Sequence, residues 1–297
     1  MNFSLPSFAK INIGLRVIAK RPDGYHDIET IFQTISLADS IYFSGSSSIT
    51  MECGDPAIPV DDRNLMIKAA KLLSERFSVD KGTRLRLEKN IPSPGGLGGG
   101  SSNAAVTLLG LNKLWGIDAE ISELLPIAAE LGSDVPFFLT GGTAVGVGRG
   151  EVIEPIEEEF RSEAMIIVTP PISVSTADAF KLISKDGLTK KHAGNTLIIC
   201  RFDSDNWVPE HATLQNDFEK PIFGLYPEIE HAKQWLLDNG AVEAAMSGSG
   251  ASVAGFFDNK ETRQTALKAL GDKANWRSFA VATISRDQYR EALKQVF

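Results

Sequence analysis

The residues best suited to bind a ligand form a glycine-rich segment, PSPGGLGGGSSN, at positions 92–103. Glycine adopts positive φ at low cost and lets a ligand approach backbone N–H groups closely. Ser101, Ser102 and Asn103 are predicted to open the helix that follows, and the unpaired N–H groups and dipole of a helix N-terminus attract anions. Because the segment separates a predicted strand from a predicted helix, we favour an ordered phosphate-binding loop over a flexible linker.

Two common phosphate motifs do not match this segment. The spacing from Gly95 to Gly100 fits the Walker loop, but Ser101 stands where that motif requires lysine. The segment Gly96-Leu97-Gly98 begins a dinucleotide fingerprint, but its third glycine position is again Ser101. An oxidoreductase that binds a nicotinamide cofactor is therefore disfavoured.

Four further segments could take part in chemistry, and each also has an ordinary structural interpretation. Asp134, in GSDVPFF, is a lone carboxylate that could equally cap a helix, and Lys10, in FAKINIGL, could be a solvated charge. The segment 246–252, MSGSGAS, could hold a phosphate or form a tight turn between strands. The segment 21–26, RPDGYH, contains a turn and a Tyr-His pair that could bind a flat ligand. Taken singly, these segments leave both interpretations open.

Hydrophobic periodicity indicates the elements that must position these residues. Residues 11–18 alternate between apolar and polar, as in a half-buried strand. Further strands are predicted at 28–37, 41–51, 83–89, 141–150, 164–169 and 276–284, and helices at 64–77, 103–114, 119–131, from 175 onward, and at 227–238, 260–270 and 286–296. Because the early strands are consecutive and strands do not alternate strictly with helices, we expect an α+β fold with mostly antiparallel sheets. The acidic segment 150–163 predicts a boundary between lobes 1–150 and 151–297.

Composition limits the classes of function. The chain has 297 residues and a net charge of −8, with 43% hydrophobic and 23% charged residues, as in an ordinary globular enzyme. The acidic balance disfavours binding to nucleic acid or to a membrane surface, since both require excess positive charge. The two cysteines, Cys53 and Cys200, suggest neither a disulfide framework nor a zinc site. No signal peptide and no apolar run of about 18 residues is found, so a cytoplasmic protein is expected.

In combination, these segments resemble the GHMP kinase superfamily. Its members carry, in this order, a lysine-bearing N-terminal strand, a P-x-x-x-G-L-G-S-S-type loop and a C-terminal glycine-rich loop. The matching segments are residues 9–37, 91–105, 131–151, Asn216-Asp217 and 246–257, whereas residues 181–210 match poorly. The resemblance implies a two-lobed fold with a deep cleft, an ATP-binding lobe at 1–150 and a substrate lobe at 151–297. It also implies the use of ATP and Mg²⁺.

Within the superfamily, the chain resembles the branch that phosphorylates the 2-hydroxyl of a cytidine-diphosphate-linked methylerythritol in non-mevalonate isoprenoid biosynthesis. By this resemblance, Asp134 is the base or orienting acceptor, and Lys10 offsets charge in the transition state. The implied substrate-binding residues are Asn12, Tyr25, His26, Thr176 and Phe180. The implied nucleotide-binding residues are Asn64, Lys89, Pro92, Ser93, Pro94, Gly95, Gly96, Leu97, Gly98, Gly99, Gly100, Ser101 and Ser102. The hydroxyl of Ser102 is also a candidate to lie on the side of the metal ion.

Besides the nicotinamide oxidoreductase that the failed fingerprint disfavours, two alternatives to this activity remain at the level of sequence. The first is a GHMP kinase that acts on a sugar, homoserine or mevalonate, and the pair Tyr25-His26 argues against it because those substrates carry no base to stack on. The second is a nucleotide-binding regulatory protein with an inactive site, which the presence of both Lys10 and Asp134 argues against. The expected partner is a small molecule, without nucleic acid or membrane, and the expected state is a monomer or a weak homodimer.

Overall fold

A computed structural model gives the fold of residues 2–157, 159–186, 214–271 and 275–297, with the backbone alone for 184–186. Cys200 and most of the segment 181–210 lie outside these described residues. No helix in the described ranges is both long and apolar enough to cross a membrane.

Two long antiparallel strands, β1 (Asn2–Lys20) and β2 (His26–Ser46), form the centre of the first sheet. Their register shifts between Phe8 and Ala9, between Asn12 and Gly14, and again near the end of β1. Such bulges bend a strand and redirect its side chains, and the first two lie on either side of Lys10. The strand pair thus bends around Lys10, one of the polar residues that the sequence singled out.

The described strands form two sheets. The first contains β1, β2, β3 (Ile49–Cys53), β4 (Gly82–Glu88), β5 (Thr143–Val147), β6 (Val152–Pro155) and β8 (Gln215–Asn216), in the order β3-β4-β2-β1-β8 with β5 against β2 and β6 against β5. The second contains β7 (Met165–Thr169), β9 (Glu243–Met246), β10 (Val253–Phe256) and β11 (Arg277–Val281), in the order β11-β7-β10-β9. Apart from β3 with β4 and β1 with β8, the paired strands are antiparallel, which confirms the predicted α+β class.

Helices cover the sheets on their outer faces. They are α1 (Leu65–Arg76), α2 (Gly99–Trp115), α3 (Ile121–Leu131), α4 (Thr176–Asp186), α5 (Glu219–Leu225), α6 (Pro227–Asp238), α7 (Lys260–Leu270) and α8 (Arg286–Ala292), with a 3₁₀ turn at Pro136–Leu139. Capping residues determine where three of these helices begin. The side chains of Asn64, Asn259 and Ser285 accept backbone hydrogen bonds at the N-termini of α1, α7 and α8.

Three clusters of buried apolar residues hold these layers together. The first packs the face of β2 and β4 against α1, α2 and α3, and it includes Tyr289 and Leu293 near the C-terminus. The second packs the other end of β1 and one face of the second sheet against α4–α7. The third lies between the two sheets and includes Ile11 and Ile31 from the first and Ile167 from the second. Residues from both predicted lobes contribute to the first sheet and its core, so the division at residue 150 stays a prediction.

The strands β6 and β8 and the helix α5 were not predicted, and the bounds of β2 and α2 differ from the sequence-based expectation. The strands predicted at 28–37 and 41–51 are one continuous strand as far as Ser46, because the register shift at Phe8 and Ala9 accommodates residues 36 and 37 without ending the ladder. Helix α2 begins at Gly99 and not at 103, because Gly98 takes the left-handed conformation (φ 67°) and acts as its N-cap. Ser101 and Ser102 therefore lie within the first turn of α2.

Candidate active site

A cavity of about 710 Å³ lies where β1, the glycine-rich loop, α4 and the turn between β9 and β10 meet. Its lining includes most of the residues that the sequence singled out: Lys10, Asn12, Tyr25, His26, Pro92, Ser93, Pro94, Gly95, Gly96, Leu97, Gly98, Gly99, Gly100, Ser101, Asp134, Thr176 and Phe180. Asn64, Lys89 and Ser102 are not part of this lining. The fold therefore brings together residues from positions 10 to 180 in one concave site.

Lys10 connects three parts of this site. Its ammonium donates to Oδ1 of Asn12 at 2.6 Å and to the carbonyl of Gly96 at 3.0 Å, and lies 3.4 Å from Oδ2 of Asp134. An ammonium has three hydrogens, so each has a partner within reach. The lysine side chain is only 4% exposed. Lys10 is thus a buried cation held between β1, the loop and Asp134, and not an ordinary solvated charge.

Asp134 stands between the end of α3 and the 3₁₀ turn. The N-cap of that turn is Val135, which makes no capping side-chain hydrogen bond, and α3 ends with Gly132 as its C-cap. The carboxylate of Asp134 is 32% exposed, and it lines the cavity. This position gives Asp134 a buried cation on one side and open space for a ligand on the other.

The glycine-rich loop is fixed against β1 and against the turn 246–252. The backbone N–H of Lys10 donates to Leu97, and Ser247 Oγ donates to Gly96. A Cβ on Gly96 would lie 2.1 Å from the carbonyl oxygen of Ser247, so this approach requires glycine. The first turn of α2, from Gly99 to Ser101, then lines the cavity with backbone N–H groups that lack helical partners. The loop is therefore held in place by specific contacts and is not a flexible linker, while anion binding stays a prediction.

The segment 246–252 is a tight turn between β9 and β10 that also reaches the cavity. Gly248 and Ser249 belong to the lining, and Ser249 Oγ lies 2.9 Å from Thr176 Oγ1. Nδ2 of Asn216 donates to the carbonyls of Met246 and Gly248 at 2.7 Å each. Gly248 and Ser249 were not among the predicted site residues, although the glycine and serine content of the segment was the signal for them.

The predicted base-binding residues Tyr25, His26 and Phe180 all line the cavity, and two of them are in contact. The His26 and Phe180 rings stack at 5.0 Å with 15° between their planes, so His26 covers one face of Phe180. Tyr25 is 55% exposed, and the Arg149 guanidinium lies over its ring at 4.9 Å. Nε2 of His26 is buried without a hydrogen-bond partner. Burial, and then the charge of Lys20, lower the pKa of His26 from its ordinary 6.5, which favours the neutral ring.

Two predicted nucleotide-binding residues have local partners outside the cavity. Asn64 caps α1, and its amide donates to the carbonyl of Pro59. The Lys89 ammonium pairs with Oδ2 of fully buried Asp39 at 2.9 Å and donates to the carbonyl of Ile91. Burial lowers the pKa of Lys89, and Asp39 opposes that shift. Both residues support the surroundings of the loop, and direct contact with a nucleotide stays a prediction.

The metal-side position predicted for Ser102 finds no support in the structure. Its hydroxyl is fully buried and lies 2.8 Å from Ser7 Oγ, which in turn donates to Asn103. Because α2 starts earlier than expected, Ser102 is rotated to the inner face of the helix. Ser101 lines the cavity in its place.

Cationic side chains that the sequence analysis did not single out also line the cavity. They are Lys20, Arg149 and Lys181. Arg149 is held by Glu151 at 3.2 Å, and Lys181 by Asp178 at 2.8 Å. Isolated basic residues carry no pattern in the sequence, so only the fold could assign them to the site. With Lys10, the described lining of the cavity thus contains four cationic side chains and one carboxylate, that of Asp134.

Comparison with known proteins agrees with this geometry. Residues 64–142 match the model of the GHMP kinases N terminal domain, and residues 204–275 match that of the GHMP kinases C terminal region. The 4-diphosphocytidyl-2-C-methyl-D-erythritol kinase of Solibacter usitatus is 39% identical over 292 residues, which covers 96% of this chain and 90% of the relative. A crystal structure of 4-(cytidine 5'-diphospho)-2C-methyl-D-erythritol kinase superposes with a TM-score of 0.77 at 31% identity, over 95% of this chain and 99% of the other.

A more distant structure has the same fold without showing the same family. Homoserine kinase from Cytophaga hutchinsonii superposes with a TM-score of 0.70 over 97% of this chain and 96% of the other, but at 19% identity it shows only the shared fold. The chain belongs to the GHMP kinases and, within them, to the 4-diphosphocytidyl-2-C-methyl-D-erythritol kinase family.

Proposed function

We propose that this chain transfers the γ-phosphoryl group of ATP to the 2-hydroxyl of 4-diphosphocytidyl-2-C-methyl-D-erythritol. The observation that carries the proposal is the Lys10–Asp134 pair, with 3.4 Å between Nζ and Oδ2, placed in one cavity with the N-terminus of α2 and the Tyr25-His26 pair. The Lys10–Asp134 pair suits phosphoryl transfer. The N-terminus of α2 suits binding of a triphosphate, and the Tyr25-His26 pair suits binding of a nucleobase. The names of the relatives supply the identity of the alcohol.

The loop and the first turn of α2 would bind the β- and γ-phosphates of ATP. Their glycines leave backbone N–H groups accessible, and the helix dipole favours negative charge at this end. Among the described residues, no group of three or more His, Cys, Asp and Glu side chains is arranged to hold a metal. Mg²⁺ would then be held mainly by phosphate oxygens, with Asp134 and Ser101 of the cavity lining as candidate protein ligands. Bound there, Mg²⁺ would supply neutralising charge to the triphosphate.

Asp134 and Lys10 would act on the reacting atoms. The alcohol oxygen forms a bond to the γ-phosphorus, the bond from that phosphorus to the bridging oxygen breaks, and ADP leaves. Asp134 accepts or orients the proton of the alcohol, which is a hindered tertiary hydroxyl and a very weak acid. Lys10 would stabilise the developing negative charge. Because Lys10 is buried, this electrostatic stabilisation is stronger than it would be in water. Asn12, which accepts from Lys10, would contact the erythritol unit.

The other end of the cavity would bind the cytidine diphosphate part. Tyr25 offers an exposed ring face for stacking, and the unpartnered Nε2 of His26 offers a hydrogen bond to the polar edge of the base. Because His26 already stacks on Phe180, these two rings form one aromatic wall. Thr176, one helical turn before Phe180, faces the same side. Lys20, Arg149 and Lys181, which also line the cavity, would supply positive charge to the diphosphate.

Substrate choice is the feature to test. ADP release should be followed with four acceptors, the cytidine-linked methylerythritol, mevalonate, homoserine and galactose, each with ATP and Mg²⁺. We expect turnover with the cytidine-linked alcohol alone, and a phosphorus spectrum of the product that shows a new phosphate monoester. Comparable turnover with mevalonate or homoserine would assign another GHMP kinase activity, and binding of ATP without turnover of any acceptor would indicate an inactive site. A cytoplasmic, monomeric or weakly dimeric enzyme is part of the same proposal.

A further inference from the structure

The C-terminal helix α8 packs into the core of the first sheet, although β11, the strand that precedes it, belongs to the second sheet. Its Tyr289 is fully buried, in the same cluster as Phe137 and Phe138 of the 3₁₀ turn. The Tyr289 hydroxyl donates to the carbonyl of Phe138 at 2.5 Å. Burial raises the pKa of this hydroxyl well above its ordinary value of 10.0, so it remains a hydrogen-bond donor at any physiological pH.

The ring of Tyr289 also lies against the far end of the same turn. A Cβ on Gly141 would come within 2.4 Å of this ring, and Gly141 has φ 66°, so only glycine permits this contact. The N–H groups of Thr140 and Gly141 both donate to the carbonyl of Phe137. Tyr289 therefore holds the turn at two points, the carbonyl of Phe138 and the backbone of Gly141.

The held turn touches the reacting groups in two ways. It begins two residues after Asp134, so its placement sets where that carboxylate projects. The Phe138 ring packs directly on the loop: a Cβ on Gly98 would lie 2.8 Å from this ring and 3.0 Å from Cγ of Lys10. Phe138 is thus the spacer between the turn that carries Asp134 and the loop that accepts from Lys10.

We propose that Tyr289 is a positioning residue for phosphoryl transfer. Its hydroxyl and ring fix the turn that sets the distance between Asp134 and Lys10, although Tyr289 itself touches neither substrate. The assignment rests on the proposed function, because it treats Asp134 and Lys10 as the reacting pair. Misplacement of a reacting group by about 1 Å can cost roughly a hundredfold in rate, so a loosened turn should reduce kcat.

The substitution Tyr289→Phe removes the hydroxyl and keeps the ring. We expect kcat to fall about tenfold, while KM for ATP and for the acceptor stays within about twofold, because the loop and the base-binding wall are unchanged. The matched control is Tyr42→Phe, which removes an exposed tyrosine hydroxyl that donates to Glu88 at 2.9 Å outside the cavity. Its kcat should equal that of the wild type. Melting temperatures are measured for both, and kinetics are run well below them.

A second comparison separates positioning from general stability. In the background Asp134→Asn, the further change Tyr289→Phe should lower kcat little, since the carboxylate that it places is already absent. A lower melting temperature with unchanged kcat in Tyr289→Phe would overturn the inference and leave Tyr289 a packing residue. A full tenfold loss in the Asp134→Asn background would also overturn it. If the wild type prefers another acceptor, the same comparison is made with that acceptor, so the two proposals fail separately.

Discussion

At the scale of single residues, Lys10 and Asp134 make the most direct prediction. We expect Asp134→Asn to lower kcat by about a hundredfold or more with little change in ATP binding, because the amide fills the same space and cannot accept a proton. Lys10→Met, which keeps the apolar stem beside Gly98, should lose kcat in the same way. Steady-state kinetics and ATP-analogue titration measure both effects. Asp62→Asn, which breaks an exposed ion pair with Lys71, is the control and should behave as the wild type.

An Asp134→Asn enzyme with kcat within a few-fold of the wild type would remove Asp134 from the chemistry. A large rise in KM for ATP with unchanged kcat in Lys10→Met would make Lys10 a ligand of the ground-state nucleotide and not a stabiliser of the transition state.

His26 carries a second prediction, which concerns specificity. His26→Phe keeps an aromatic ring against Phe180 and removes the unpartnered Nε2. A buried hydrogen bond contributes about 1–3 kcal/mol when its loss leaves a group unpaired. At about 1.4 kcal/mol per tenfold change, KM for the cytidine substrate should rise by roughly five- to a hundredfold. Preference for the cytidine over the uridine form should be lost, while KM for ATP is unchanged. Equal changes in both KM values would contradict the assignment.

The lowered pKa of His26 also gives stability a defined dependence on pH. The folded protein binds a proton at His26 less readily than the unfolded chain does, whose pKa is near 6.5. The free energy of unfolding should therefore fall as pH drops from 6.5 towards the lower folded pKa, and level off below it. Denaturant titrations between pH 7 and 5 should show a shallower slope for His26→Phe than for the wild type. Identical slopes would mean that His26 titrates as an exposed residue.

At the scale of elements, the loop and the start of α2 show what sequence could and could not predict. The glycine content and its place between a strand and a helix predicted an ordered loop for binding phosphate; the order of the loop is observed, and phosphate binding stays a prediction. The start of α2 was predicted four residues too late, because the left-handed turn at Gly98 depends on the Phe138 ring and the Lys10 stem packed beside it. A contact between Gly98 and Phe138, 40 positions apart, leaves no local pattern in the sequence. The earlier helix start also turns Ser102 into the interior, away from the cavity lining.

The loop prediction is best tested at Gly100. A substitution at Gly98 would be confounded, because its φ of 67° and the nearby Phe138 ring would strain any side chain. At Gly100 the nearest atom to an added Cβ is 3.9 Å away, and the residue lines the cavity. Gly100→Glu should keep the fold and raise KM for ATP at least about tenfold, since it sets a carboxylate against the phosphates.

The matched control for this change is Gly54→Glu. Gly54 is exposed, has no atom within 4 Å of an added Cβ and lies outside the cavity. Thermal-shift titration with a nonhydrolysable ATP analogue should show weak binding to Gly100→Glu and normal binding to Gly54→Glu. Equal stabilisation of the two variants by the analogue would place the triphosphate elsewhere.

At the scale of the whole molecule, the site exists only because distant segments converge on one cavity. Lys10 comes from β1, Asp134 from the segment after α3 and Ser249 from the turn between β9 and β10, so both sheets contribute to the site. Alternation in β1 and the helical periodicities predicted the elements, and the order of motifs predicted the family. The pairing of β5 with β2, and the docking of α8 on the first core, depend on tertiary packing that no single segment encodes.

The cluster between the two sheets predicts that the described parts of the chain unfold as one unit. Ile167 of β7 faces the first sheet and is fully buried beside Ile11 and Ile31. Ile167→Ala should lower the free energy of unfolding by about 2–5 kcal/mol, and calorimetry should still show one transition whose calorimetric and van't Hoff enthalpies agree. Leu270→Ala, which makes a similar cavity in the second core, should also lower the temperature of that single transition.

Two separated transitions in Ile167→Ala would show instead that the sheets unfold independently and that the contact between them contributes little. In that case the lobes predicted at 1–150 and 151–297 would be autonomous, and the cavity between them would owe its shape to bound ligands and not to the shared core.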